Sequence, residues 1–302
     1  MDRYRRYSHF LKEQFGERVQ KITVDAGFTC PNRDGKVGTG GCIYCNNDSF
    51  VLHGELRSKS IKEQVSNKID ACKKRGKANK FIVYFQAFTN TYGPLDHLKS
   101  LYEDALSFPE VVGLSIGTRV DCIDDEKLDY LGELAKNWNI TIEYGIESIF
   151  DDSLKRINRG HDFDAVRTAI VDTAGRGIQI CGHIILGFPW ETKKMWLETA
   201  RVISKLPINF LKLHQLHIVE DTPLAEIFRS DPFKLLSKDE YMDILATFIA
   251  NLREDIVIQR LIGEAPKELL VSKDWGVGTG QLVSEFDQLL DQRGITQGMK
   301  LL

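Results

Sequence analysis

The chain has 302 residues, 42% of them hydrophobic and 27% charged. That balance supports a sizeable core, either one α/β barrel or about two smaller domains, and excludes a wholly disordered chain. The 40 Lys and Arg against 43 Asp and Glu leave a net charge of −3, so no global positive field advertises nucleic acid and any such contact must be local. No apolar run reaches the ~18 residues of a membrane span, and no apolar stretch follows the basic N-terminus as it would in a signal peptide. A cytoplasmic protein with no membrane partner is therefore expected.

Residues 1–18 open the chain as a helix that mixes basic and aromatic side chains, including Arg3-Tyr4-Arg5-Arg6-Tyr7. A strand at Val19–Val24 follows, then a glycine-rich loop. From there, helices with helical spacing and start signals alternate with short β-branched and aromatic runs. The order is helix Ser60–Lys74, strand Phe81–Phe88, helix Pro94–Leu106, strand Val111–Ile116, helix Asp124–Asn137 and strand Ile140–Ile146. Helix Phe163–Arg176, strand Ile178–Phe188, helix Glu191–Leu206 and strand Phe210–Leu216 complete the series. Near-continuous apolar strands imply burial on both faces, hence a parallel sheet covered by helices. Six such units predict an α/β fold built as a partial (βα)6 barrel over residues 19–237. Residues 238–302 read as a small α+β extension: helix Lys238–Leu252, a strand pair Ile256–Ile262 and Glu268–Val271, and helix Gln281–Gln292.

Six cysteines without an export signal do not make a disulfide scaffold. Cys72, Cys122 and Cys181 stand alone and read as small buried apolar residues. Cys30, Cys42 and Cys45 instead form a C-x11-C-x2-C pattern in a loop with five Gly or Pro residues. Such a loop can bend tightly and aim backbone N–H groups at sulfur. Three thiolates are one ligand short of a closed zinc site, for which His53 is the nearest fourth candidate. In a 4Fe–4S cluster the same shortage leaves one iron open to a ligand. Both metals remain open on the pattern alone, with iron–sulfur favoured. A cysteine nucleophile lacks a legible His or Asp partner.

With Tyr44 directly before Cys45, the motif resembles that of the radical S-adenosylmethionine (SAM) superfamily. Within it the sequence resembles the Elongator catalytic-subunit branch and its YtqA/YhcC subgroup, from about Val19 to about Trp275. The resemblance implies a 4Fe–4S cluster held by Cys30, Cys42 and Cys45, with SAM as cofactor and Tyr44 near its adenine. Gln86 or Thr89 would substitute for the Gly-Gly-Glu that the superfamily often carries after the second strand. Gly117-Thr118-Arg119-Val120-Asp121 looks like the branch's Thr-Arg-x-Asp segment. Glu143-Tyr-Gly-Ile-Glu147-Ser148 and Asn158-Arg159-Gly160-His161 resemble its Glu-x-Gly-x-Gln-Ser and Asn-Arg-Gly-His elements. By that likeness Arg119, Glu143, Glu147 and Arg159 join the cofactor-binding set. Glu147 replaces the family's Gln and loses a hydrogen-bond donor. Glu143 and Glu147 also share a strand face at even spacing, and a carboxylate pair pointing into a barrel is costly unless used or paired. His183 stands where relatives have Asp. His183, His214 and Tyr92 are the candidates for catalytic contact, with His217 close by in sequence.

The same resemblance implies tRNA as substrate. The side chain at C5 of the wobble uridine would be altered from carboxymethylaminomethyl toward aminomethyl, with electrons from a reduced flavodoxin- or ferredoxin-type donor. Acetyl transfer is not expected, for want of the domain that performs it in Elongator. Arg3–Tyr7, and Lys73-Lys74-Arg75 with Lys77 and Lys80, offer mixtures suited to phosphate contact and base stacking. A small-metabolite or peptide substrate, and a zinc-stabilised nucleic-acid-binding module without catalysis, are the alternatives.

Overall fold

The computed structural model describes residues 2–46, 58–272 and 275–301; His53 lies outside them. Seven strands form one sheet: β1 (Val19–Val24), β2 (Lys80–Phe85), β3 (Val111–Thr118), β4 (Asn139–Glu147), β5 (Gln179–Leu186), β6 (Phe210–Gln215) and β7 (Val257–Arg260). Their spatial order is their chain order, and every neighbouring pair is parallel. Helices bridge the strands: α1 (Tyr7–Phe15) before β1, α2 (Ile61–Lys74), α3 (Leu95–Leu106), α4 (Asp125–Ala135), α5 (Asp151–Arg156), α6 (Phe163–Ala174), α7 (Lys193–Ile203), α8 (Pro223–Ser230), α9 (Lys238–Ala250) and α10 (Thr279–Arg293). Side-chain caps fix several starts. Ser60 and Ser237 make capping boxes with Glu63 and Glu240, and Asp124, Asp162 and Thr192 each accept from the N3 amide.

The expected partial barrel is present, and its sheet gains a seventh strand from the segment read as an extension. Ile256–Ile262 does not pair with Glu268–Val271; Val257 instead lies beside Phe210 on β6. Residues Lys267–Leu269 form a short 3-10 turn, and Leu270 bridges to Val219. Four residues ending in Gln259 and Arg260 carry too short an apolar run to announce a barrel strand. Strands β2 and β5 end before the expected Phe88 and Phe188, because Ala87, Phe88 and Gly187 turn left-handed (φ 69°, 61° and 106°). The short helices α5 and α8 have no counterpart in the sequence reading. Among the described residues, no helix is long and apolar enough to cross a membrane.

Among the described residues β1 and β7 do not pair, so the barrel stays open along one side. Residues at the N-terminus cover that region: the Ile258 amide donates to the Arg5 carbonyl (2.8 Å). Tyr7 and Phe10 of α1 pack edge-on against Phe210, with ring centroids 5.2 Å apart in each case, beside Cys181 and Val257. The Arg–Tyr mixture expected to meet nucleic acid is largely consumed by this docking. Tyr4 is buried against Phe286 with the Arg6 guanidinium over its ring, Arg6 pairs with Asp287, and Arg3 pairs with Asp291. The second basic cluster sits at the start of β2, the strand end opposite the site described below; there Lys73 pairs with Glu110 and Lys80 with Glu17.

Phe210 is 1% exposed, and its ring is the common partner of the α1 aromatics. Phe210→Ala should cost about 3–5 kcal/mol, read as a lower urea midpoint with an unchanged m-value.

Candidate functional site

Parallel barrels gather their functional groups where strands end and loops begin. Here the strand ends enclose a cavity of about 450 Å³ lined by all three loop cysteines and by side chains from all the strands after β1. The cysteine loop owes its shape to backbone turns that side chains would block. Val37 and Gly38 amides donate to the Pro31 carbonyl, and the Cys45 amide to that of Cys42 (2.9 Å). A Cβ on Gly38 would lie 2.4 Å from Asn32 Oδ1, and Gly41 is left-handed (φ 80°) against Arg33. The loop is stitched to the turn after α5. Asn32 Nδ2 donates to the Asn158 carbonyl (2.6 Å), and Asn158 Nδ2 to that of Gly41 (2.8 Å).

That stitching delivers two donors to one sulfur. Arg159 Nη1 lies 3.6 Å and Asn32 Nδ2 3.8 Å from Cys42 Sγ. Burial and the neighbouring Cys42 push the Cys45 thiol up to about 11, a penalty that a metal would reverse by binding the thiolate. Arg159 is buried, also donates to the Gly145 carbonyl (2.5 Å), and stands 4.0 Å from Glu147. Burial pushes the Glu147 carboxyl above its ordinary value, against the pull of Arg159 and of a hydrogen bond with Tyr44. The shift is toward the protonated acid, the form of a carboxyl that carries a donor.

Next to this cluster, Gln86, Thr89 and Arg119 line the cavity. Ala87 and Phe88 hold the left-handed backbone that Gly adopts without strain, so the turn keeps a glycine-like shape without glycine. Arg119 forms a two-pronged pair with Asp121 (2.7 and 2.8 Å), which leaves Nη1 buried without a partner among the described residues. Arg159 Nε and Asn32 Oδ1 share that condition. Buried polar atoms seldom go unmatched, and three of them around three thiols suit a polar, metal-bearing occupant.

Below lies a charged floor. Glu143 is 0% exposed and accepts from Lys21 (2.5 Å), Ser115 (2.5 Å), His183 (2.8 Å) and Lys212. Burial opposes its ionisation, but Lys21, Lys212 and His183 outweigh burial and hold its carboxyl well below the usual range. Burial and Lys212 bring His183 down to about 4, and burial with His183 lowers His214. Both imidazoles are thus neutral near pH 7, and their rings stand 5.9 Å apart. Among the described residues, the metal-ligand atoms lying within 4.8 Å of one another belong to Glu143, Cys181 and His183. Two ammonium groups already occupy that carboxylate, which argues against a cation there.

The structure thus brings Cys30, Cys42, Cys45, Tyr44, Gln86, Thr89, Arg119, Glu143, Glu147, Arg159, His183, His214 and His217 to one cavity. Tyr92 is not among the lining residues; it lies under Lys36 of the cysteine loop. Lys21, Lys212, Arg260 and Asn32 were not legible as site residues. The available signal was a charge inside a buried strand, as in Val19-Gln-Lys-Ile-Thr-Val24 and Phe210-Leu-Lys-Leu213.

Comparison with known proteins follows the same lines. The radical SAM superfamily matches residues 33–203, and the radical SAM C-terminal domain residues 208–290. YtqA of Bacillus subtilis (strain 168) is 33% identical over 296 residues, 98% of this chain and 92% of that protein. A tRNA uridine(34) acetyltransferase of Methanocaldococcus infernus is 22% identical over 188 residues, 61% of this chain and 34% of that one. Among solved structures, archaeal Elp3 of Methanocaldococcus infernus superposes with a TM-score of 0.71 at 16% identity, covering 92% of this chain and 64% of that one.

Glu143→Gln keeps the shape of the floor but leaves Lys21 and Lys212 without their counter-charge. Unfolding in urea should show a loss of about 3–5 kcal/mol. Asp2→Asn, at an exposed pair with Arg6 and His9, should cost less than about 1 kcal/mol.

Proposed function

This chain belongs to the radical SAM superfamily, and we propose that it acts on the wobble uridine of tRNA, converting a carboxymethylaminomethyl group at C5 toward aminomethyl. The superfamily uses a 4Fe–4S cluster and SAM. The observation that carries the reading is the meeting of three thiols, two arginines and a charged floor in one cavity at the strand ends. The tRNA uridine(34) acetyltransferase, similar over 61% of this chain, supports uridine 34 as the target.

Cys30, Cys42 and Cys45 would hold the cluster, and the donors on Cys42 from Asn32 and Arg159 would tune it. Tyr44, Gln86, Thr89, Arg119, Glu147 and Arg159 would hold SAM on the β1–β4 side. Bound there, the cluster and SAM would supply hydrogen-atom abstraction at the carboxymethyl carbon next to nitrogen; loss of a further electron and hydrolysis of the resulting imine would free the aminomethyl group and release the two carbons as glyoxylate. The protein's part is to orient the reacting carbon and keep stray hydrogen donors away. Glu143 keeps Lys21, Lys212 and His183 in fixed positions beneath the substrate, and the neutral His183 and His214 form the adjoining wall. The work belongs in the cytoplasm with its tRNA, with electrons from a reduced flavodoxin- or ferredoxin-type donor.

Mass spectrometry of tRNA nucleosides tests the reading directly. Deleting the gene should accumulate carboxymethylaminomethyl-uridine at the expense of the aminomethyl form; an unchanged profile rejects it. Purified without oxygen, the protein should hold about four irons per chain. Cys42→Ala should lose iron, visible absorbance and SAM cleavage while its far-ultraviolet circular dichroism stays the same.

A further inference from the structure

The groups assigned to cluster and SAM sit at the cysteine loop and the ends of β2 to β4. The opposite wall, at the ends of β6 and β7, has a charge set of its own. Lys212 is 5% exposed and bound to Glu143, and burial brings its ammonium down to about 8 even beside that carboxylate. A register shift between Leu211 and Lys212 sets Arg260 beside Lys212, and Arg260 too lines the cavity. Among the described residues the Arg260 guanidinium has no ion-pair or hydrogen-bond partner. Glu143 is filled by its four donors, and Glu264 on the rim accepts from the Thr279 hydroxyl. Glu147 faces Arg159 on the other side of the cavity. Among the described residues Arg260 is thus a cation on the β6–β7 wall without an anionic partner.

We propose that Arg260, with Lys212 beside it, is the anion subsite that receives the carboxylate of the substrate's N-carboxymethyl group. This rests on the uridine reading above. A guanidinium offers a planar fork that matches a carboxylate with two parallel hydrogen bonds. The ammonium of Lys212 and the neutral His214 line the same cavity. Arg260 is a specificity-determining residue: it selects the carboxylate-bearing uridine over the aminomethyl product and helps to expel that product.

The test uses the holoenzyme without oxygen, and anticodon stem-loops that differ only in the group at uridine 34. Both carry the same phosphates, so their affinity ratio isolates the carboxylate. Wild type should bind the carboxymethylaminomethyl loop about tenfold or more tighter than the aminomethyl loop. Arg260→Gln should bring that ratio below about three, chiefly by weakening the carboxymethylaminomethyl loop, and Arg260→Lys should recover part of it. Arg260 is exposed, so neither variant disturbs the core. A ratio near one in wild type, or an unchanged ratio in Arg260→Gln, overturns the subsite while leaving the uridine reading intact. So does a loss of SAM affinity in Arg260→Gln with the loop ratio unchanged, since the guanidinium then serves the cofactor. If wild type binds neither loop better than an unrelated stem-loop, the tRNA reading fails. The subsite is then decided by the same ratio measured on the two free nucleosides.

Discussion

One buried carboxylate organises the interior of this open barrel. Glu143 sits on β4, the middle strand, and gathers Lys21 from β1, Ser115 from β3, His183 from β5 and Lys212 from β6. Lys21 also reaches Gln259 on β7 (3.0 Å), so a chain of charge-assisted contacts spans the gap that no backbone ladder closes. Such an arrangement is costly to desolvate and adds little stability over an apolar core of similar volume. What it does supply is position: each partner is fixed by the others, and removing the carboxylate would strand two cations. The cavity above inherits its electrostatics from that arrangement.

The cysteine side is built on a different principle. Its loop has almost no regular structure and takes its shape from glycines and from two Asn side chains that tie it to the turn after α5. Arg159 links that turn, the cysteine sulfur and the end of β4. Loop, turn and strand end must therefore fold together for Cys42 to receive its two donors. This couples the three thiols to the barrel without adding to the hydrophobic core, and it accounts for glycines at places where a methyl group would collide with Asn32 or Arg33.

Much of this was legible in the sequence because it depends on local pattern. Apolar β-branched runs gave six of the strands, and C-x11-C-x2-C placed the thiols. What escaped depends on contacts remote in sequence. Nothing local says that Lys21 and Lys212 meet at Glu143, 122 and 69 residues away. The arginines and tyrosines at the N-terminus look like a nucleic-acid surface until Asp287, Asp291 and Phe286 are brought to them from the far end of the chain. The run holding β7 was read as half of a local strand pair, because nothing local says that Val257 joins Phe210 at the edge of the barrel sheet. Ala87 and Phe88 were missed since their left-handed turn is imposed by surroundings and not by glycine.

The aromatic packing of α1 against Phe210 has a consequence for traffic. Among the described residues, Tyr7 and Phe10 seated beside Cys181 and Val257 plug the far end of the barrel, so the cavity opens at the strand ends. A macromolecule resting over that opening would confine small-molecule exchange to the intervals between its visits.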